Sequence, residues 1–260
     1  MNYALIGGTG VEKLVLKKTK QHRVDTPYGN VSLDIGEIGM SEVVFLKRHG
    51  TGHTYPPHRI NYRANIWALK TMGVKKILAT GAVGSIVDEL TIGDIVLVDQ
   101  FLDFTKNRPL TFYEGGDRGV LHIDVTEPYC PVLRNNITEG AVRAGIKVKN
   151  GGVYVCTEGP RFETPAEIKM FRLLGGHLVG MTGVPEVVLA RELGMCYATI
   201  ALVTNQAAGI NHEPLTHAEV IASMNLLSNT VAALVESTCK LMDLDQRCYC
   251  ATGNKETGLF

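Results

Sequence analysis

No charge of either sign dominates this chain: 26 lysines and arginines stand against 26 aspartates and glutamates. A balanced surface offers no broad basic field for a nucleic-acid backbone. Long apolar runs are also missing, and no stretch reads as long enough to cross a bilayer. The opening residues, Met1-Asn2-Tyr3-Ala4-Leu5-Ile6-Gly7, have neither the charged start nor the apolar run of a signal peptide, so a cytoplasmic protein is expected. Cysteine is sparse and lacks metal-site spacing. Cys130, Cys156, Cys196 and Cys239 are scattered through apolar segments, where a thiol usually serves as a small core residue. Cys248 and Cys250 flank a tyrosine in a polar tail, but no Cys-x-x-Cys or histidine pair lies nearby, and a metal needs more ligands than two. No metal is expected. Linkers, repeats and low-complexity tracts are absent before about residue 245, which predicts one domain over 1–245 and a tail over 246–260.

Short apolar runs do recur, alternating with helical patterns, and this predicts an α/β fold. Strands are expected at 3–6, 43–46, 76–79, 95–98, 153–156, 178–181 and 198–203. Several are nearly continuous in Val, Ile and Leu, as strands buried on both faces are. Helices are expected after Pro57, Pro131, Thr164, Val184 and Thr216. In the second of these, Val132, Leu133, Ile137 and Val142 are roughly spaced as an apolar face. Thr216 followed by Glu219 is a capping-box pattern for a long last helix. The stretch from Asp103 to His122 has little periodicity and holds Pro109, Gly115, Gly116 and Gly119. A loop of that length is usually functional or an interface.

Gly7-Gly8-Thr9-Gly10 follows a strand, where glycines let backbone N–H groups approach an anion. The Gly-Lys-Ser/Thr ending of a nucleotide P-loop is missing, as is the third glycine of a dinucleotide fingerprint. Taken alone, the segment is better explained as a tight turn after a strand. Phe45-Leu46-Lys47-Arg48-His49-Gly50 places an arginine and a histidine at the end of an apolar strand, and Arg48 can fork onto a phosphate. Three further segments, Gly159-Pro160-Arg161-Phe162-Glu163-Thr164, Met181-Thr182-Gly183-Val184-Pro185-Glu186 and Thr204-Asn205, supply an aromatic face, a carboxylate, a thioether, a hydroxyl and an amide. That set suits a flat hydrogen-bonding heterocycle joined to a sugar.

Together these segments resemble the trimeric purine nucleoside phosphorylases and methylthioadenosine phosphorylases, from Ile6-Gly7-Gly8-Thr9-Gly10 to Thr216-His217-Ala218-Glu219-Val220. The resemblance implies a single phosphorylase domain with a central mixed, largely buried sheet flanked by helices. It implies phosphate contacts at Thr9, Arg48, His49, Gly81, Ala82 and Thr182, with Gly81 and Ala82 coming from a loop, Thr80-Gly81-Ala82-Val83-Gly84-Ser85, after a strand. It also implies Met181 beneath the ribose, His217 on the 5′-hydroxyl and His122 reaching in from a neighbouring subunit. The 103–122 loop would lie near that subunit contact. A homotrimer or a hexamer of two trimers is expected, with inorganic phosphate as co-substrate and no cofactor. His53 is expected to help close the mouth, with Pro56 to Tyr62 packing a helix start. Some heat-adapted relatives carry a C-terminal Cys-x-Cys that forms disulfides, so a redox staple and a plain exposed tail both remain open for Cys248 and Cys250.

Donor–acceptor matching then selects within the family. An ionised Glu163 only accepts, which suits the N1–H of a 6-oxopurine and suits adenine poorly. Phe162 can lie against the purine face. Asn205 can accept from a protonated N7 and donate to O6, and Ala207 stands where adenine-selective relatives have a second aspartate. Inosine and guanosine are therefore expected over adenosine, with Asn205, Arg48 and Glu163 carrying phosphorolysis in purine salvage. The rivals are a phosphorylase of S-methyl-5′-thioinosine or S-methyl-5′-thioadenosine, a nonenzymatic nucleoside binder and, remotely, a dinucleotide enzyme.

Overall fold

Apolar strands without alternation have no polar face to turn to water, and here they fill the centre of the molecule. The computed structural model describes residues 2–8, 17–39, 41–211, 215–242 and 248–251. Eleven strands form one mixed sheet: β1 (Tyr3–Gly7), β2 (Lys17–Thr26), β3 (Gly29–Ile38), β4 (Ser41–Lys47), β5 (Lys76–Ser85), β6 (Ile95–Leu97), β7 (Gln100–Phe104), β8 (Lys149–Asn150), β9 (Val153–Thr157), β10 (Leu178–Gly180) and β11 (Cys196–Gln206). Five helices flank it: α1 (Tyr62–Thr71), α2 (Pro131–Ala144), α3 (Pro165–Leu173), α4 (Gly183–Glu192) and α5 (His217–Cys239). All seven expected strands and all five expected helices are present.

Side chains alternate across the sheet, so each central strand feeds two cores. Ala4 and Ile6 of β1 join the core that contains α1 and α4, with Val44, Ile77, Ala79, Tyr197 and Ala201. Tyr3 and Leu5 join the opposite core, with Val43, Phe45, Leu78, Ala198 and Ile200, under α2 and α5. Double-sided burial is the reason these segments read as unbroken apolar runs.

Helix ends follow their local chemistry. Pro131 opens α2 and Gly145, at φ 67°, closes it in the left-handed conformation that glycine tolerates. The capping box expected at Thr216 and Glu219 forms, and Thr164 with Glu167 makes a second one on α3. The apolar face of α2 is Leu133, Ile137, Gly140 and Ala141, whereas Val142 is 77% exposed. Val142 sits five residues beyond Ile137 and so turns away from the stripe, which corrects its expected place there.

Three further expectations change. The 23-residue α5 is long and apolar enough to meet the length and composition of a membrane-crossing helix, contrary to the expectation that no segment is. Its Ser223, Asn225, Ser228 and Asn229 interrupt the apolar letters without adding charge, and its Val220, Met224, Val231 and Leu234 pack into the second core. The segment Thr80 to Ser85 is not a loop after a strand but the second half of β5. Finally, Cys248 and Cys250 are not an isolated pair: the chain brings them to Cys130 and Cys196.

The expected irregular stretch is present between β7 and α2, broken by a 3-10 turn at Gly116–Arg118. It is pinned rather than loose. Buried Arg108 donates to Tyr62 Oη at 3.1 Å and to the carbonyls of Val184 at 2.7 Å and Glu158 at 2.8 Å. Buried Glu192 accepts from Thr111 Oγ1 at 2.5 Å and from the Phe112 N–H at 2.8 Å.

Candidate functional site

The sheet forks at β5. Residues 76–79 of β5 pair with β1, and Gly84 and Ser85 pair with β10, while β11 runs along the other edge throughout. Between Ala79 and Gly84 the β1/β10 side of the strand has no ladder partner among the described residues. A cavity of about 330 Å³ opens there, at the carboxyl ends of β1, β4, β10 and β11. Ligands of open α/β sheets are held in such crevices.

At one end lie Gly8, Arg48, His49, Gly81, Ala82 and Thr182, five of the six expected phosphate residues plus a neighbouring glycine. The sixth, Thr9, lies outside the described residues. Gly8 is required by space, because a Cβ there would come 3.0 Å from Arg48 Nη1 and 3.3 Å from the Thr80 carbonyl. Arg48 differs from expectation. Its fork is spent on Glu186, with Nε donating to Oε2 at 2.8 Å and Nη2 to Oε1 at 2.7 Å, while Nη1 donates to the Thr80 carbonyl at 2.7 Å. What the guanidinium can still offer an anion is one N–H left over on each of Nη1 and Nη2. Burial opposes the guanidinium charge, but Glu186 outweighs it and holds Arg48 well above its ordinary value. Tyr197 Oη donates to Glu186 Oε1 at 2.6 Å and completes the buried pair. Losing one member of such a pair costs about 3–5 kcal/mol, since the other charge is left unpaired.

His49 donates from Nδ1 to the Tyr55 carbonyl at 2.8 Å, which fixes the tautomer because a carbonyl can only accept. Burial pushes its imidazole down to about 3, and the Arg48, His53 and His217 rings or charges act the same way against the Tyr55 bond. His49 is thus neutral near pH 7, and its Nε2 carries a lone pair that can accept a hydrogen bond. The His53 ring stacks on His49 at 4.1 Å and lies 5.8 Å from the His217 ring. His53 also holds φ 57°, a left-handed conformation uncommon outside glycine and often found at ligand clamps.

The other end holds Phe162, Glu163, Thr204, Asn205 and Ala207. Phe162 is half-buried with its surface on the cavity, so it is a lining ring rather than core. Glu163 is 8% exposed and accepts from Thr157 Oγ1 at 2.6 Å. Burial pushes its carboxyl above the ordinary value, against the pull of the Thr157 bond. Asn205 sits beside a bulge, where the pairing of β11 with β5 skips between Val203 and Asn205. A bulge re-aims side chains at a strand end. Asn205 Oδ1 accepts from Thr204 Oγ1 at 2.9 Å and Nδ2 donates to the Gln206 carbonyl at 2.9 Å, so each end of the amide keeps one further hydrogen-bonding position. Across the cavity floor, a Cβ on Gly84 would meet Asn205 Nδ2 at 3.0 Å.

Met181 also lines the cavity, as do His217, at the first turn of α5, and Leu215, Val220, Pro56 and Pro57. His122 is exposed and does not line this chain's cavity. Sequence reasoning missed Glu186, Tyr197 and Thr157, which hold Arg48 and Glu163 in place. Glu186 stands in a motif already singled out, but no spacing rule ties it to an arginine 138 residues earlier. Among the described residues one group could hold a metal, Cys130, Cys196, Cys248 and Cys250, and it lies at the other end of β11.

A family described as "Phosphorylase superfamily" matches residues 2–240. A protein of Dictyoglomus turgidum named as a probable 6-oxopurine nucleoside phosphorylase is 54% identical over 98% of this chain and 97% of its own. One of Methanopyrus kandleri, named as a probable S-methyl-5′-thioinosine phosphorylase, is 52% identical over 95% of each chain. The solved methylthioadenosine phosphorylase of Schistosoma mansoni, in complex with adenine, superposes with a TM-score of 0.91 at 33% identity, over 98% of this chain and 96% of that one.

Proposed function

The chain belongs to the phosphorylase superfamily, and from that premise we propose that it phosphorolyses 6-oxopurine nucleosides, inosine and guanosine, to the free base and ribose 1-phosphate. The observation that carries this reading is that Glu163 and Asn205 line the same cavity, with Ala207 where a second acceptor would serve adenine. Glu163 accepts from the N1–H of the base. Asn205 accepts from N7–H and donates to O6. Phe162 covers the ring and Met181 lies under the sugar.

Phosphate occupies the end formed by Gly8, Arg48, His49, Gly81, Ala82 and Thr182. One of its oxygens forms a bond to C1′ as the C1′–N9 bond breaks, and that bonding pair leaves with the purine, which takes up a proton at N7. The ribosyl group is cationic in between, and the bound phosphate balances it. Catalysis comes from alignment and from bonds that strengthen as charge reaches the base. The Arg48–Glu186 pair is close to neutral as a unit, so it fixes the anion's position more than it supplies attraction. Inorganic phosphate is a co-substrate, no cofactor takes part, and the protein is a pentosyltransferase of purine salvage in the cytoplasm. It works as a homotrimer or as two stacked trimers, with His122 completing a neighbour's 5′ pocket.

A second reading rests on the mouth, where apolar Leu215 and Val220 stand beside His217. Those residues would accept a 5′-methylthio group and make the substrate S-methyl-5′-thioinosine. The basic reaction is tested by incubating the protein with inosine and phosphate. Equal amounts of hypoxanthine and ribose 1-phosphate are expected; free ribose, or turnover without phosphate, would refute phosphorolysis.

A further inference from the structure

Four sulfurs meet at the end of β11 remote from the cavity, roughly 30 Å along the strand from Asn205. Cys196 is the first residue of β11, and Cys130 is the residue before α2. The Cys130 N–H donates to the Tyr197 carbonyl at 2.9 Å, so main-chain bonding sets these two cysteines side by side. The 3-10 turn Tyr249–Ala251 then returns to this spot. Tyr249 turns outward to Glu127, with Oη 3.1 Å from its carboxylate, while Cys248 and Cys250 turn to the other two thiols. All four Sγ atoms lie within 4.8 Å of one another, and Cys196 and Cys248 approach to 3.1 Å. Cys130, Cys196 and Cys250 are buried.

Every sulfur is close to every other, which is more than pairwise bonding requires. Two disulfides need only two close pairs. A central ion needs all four at once: with metal–sulfur bonds of about 2.3 Å, the edges of the tetrahedron are about 3.8 Å, inside the spread seen here. A filled tetrathiolate site carries excess negative charge. Buried Arg191, whose guanidinium lies 5.1 Å over the Tyr249 ring, places a cation beside it. Four thiolates leave no open coordination position, so the chemistry is structural.

We propose that Cys130, Cys196, Cys248 and Cys250 form a structural tetrathiolate site for a soft divalent cation, zinc by preference, that fastens the C-terminal segment to the starts of α2 and β11. The ligands come from three distant parts of the chain, so the ion closes long loops. No short-range spacing announces such a set.

The test uses the full chain, purified with a reductant and without added oxidant. Elemental analysis should find one zinc ion per chain. Cobalt(II) titrated into the reduced, metal-free chain should give the intense visible bands of tetrahedral tetrathiolate cobalt, saturating at one equivalent and bleached by zinc. Cys250→Ser and Cys130→Ser should each retain less than about a tenth of the metal, while Cys239→Ser, outside the cluster, should bind it in full. Should the serine variants fail to fold, the wild-type cobalt titration decides alone. Reduced wild-type chain that takes up neither ion, or that holds cobalt six-coordinate, overturns the proposal. So does a chain whose mass is lighter by the hydrogens of two disulfides among these four residues.

Discussion

Glu163 shows how much of a specificity argument depends on one protonation state. Its ionised form is the stronger acceptor for a purine N1–H, and its protonated form weakens that bond and adds a donor the N1–H cannot use, yet burial favours the neutral form and raises its pKa above the ordinary value. Proton uptake on the acid side therefore costs substrate binding at a higher pH than an exposed carboxylate would. At saturating phosphate, kcat/KM for inosine is expected to fall along an acid limb that begins above the usual carboxylate range. Glu163→Gln should lose that limb and roughly 10- to 100-fold in kcat/KM, the worth of a hydrogen bond to a charged group. An acid limb unchanged in this variant would remove Glu163 from base recognition. Arg48 teaches a different lesson. Its residue type and place at the end of β4 point to an anion, but its partner Glu186 is visible only once the fold brings two distant segments together.

Among the elements, the crossing of α2 and α5 depends on an absent side chain. A Cβ on Gly140 would lie 2.7 Å from Thr238 Oγ1 and 2.9 Å from the Thr238 backbone nitrogen. Glycine costs a helix about 1 kcal/mol relative to alanine, so a reading by propensity alone predicts that Gly140→Ala stabilises. Overpacking against backbone costs about 1–3 kcal/mol, and the expected net result is a lower Tm with α2 and α5 pushed apart. An unchanged or higher Tm would mean that the helices yield freely. The same contrast between local and tertiary information explains which elements were legible. β1, β4, β5 and β11 announce themselves because burial on both faces makes them uniformly apolar. β2 reads Lys-Lys-Thr-Lys-Gln-His-Arg-Val-Asp-Thr, a charged edge strand whose place is set by pairing with β3. β8 has two residues and exists only through its ladder to β6. In the site, Phe162, Glu163, Met181, Asn205 and His217 were legible because their motifs sit at strand or helix ends. The continuation of β5 through Gly81 and Ala82 was not, because glycine and alanine read as a loop while β11 holds them extended.

At the scale of the whole molecule, the cavity of one chain lacks the histidine expected from the loop between β7 and α2. That loop is firmly anchored by Arg108 and Glu192 and exposes Val120 at 70% and Leu110 at 47%, a composition suited to a partner subunit. If His122 serves a neighbour's site, His122→Ala and His217→Ala should each be impaired, and coexpression of the two should restore about a quarter of wild-type activity by random assembly of shared sites. Activity no greater than the variants alone would confine each site to one chain. The central claim, that Glu163 and Asn205 select a 6-oxopurine, is tested most directly by comparing kcat/KM across nucleosides at one phosphate concentration. Inosine and guanosine should exceed adenosine and S-methyl-5′-thioadenosine by at least about a hundredfold, because a mismatched base leaves buried polar groups unpaired. Adenosine or S-methyl-5′-thioadenosine turned over as well as inosine would contradict it.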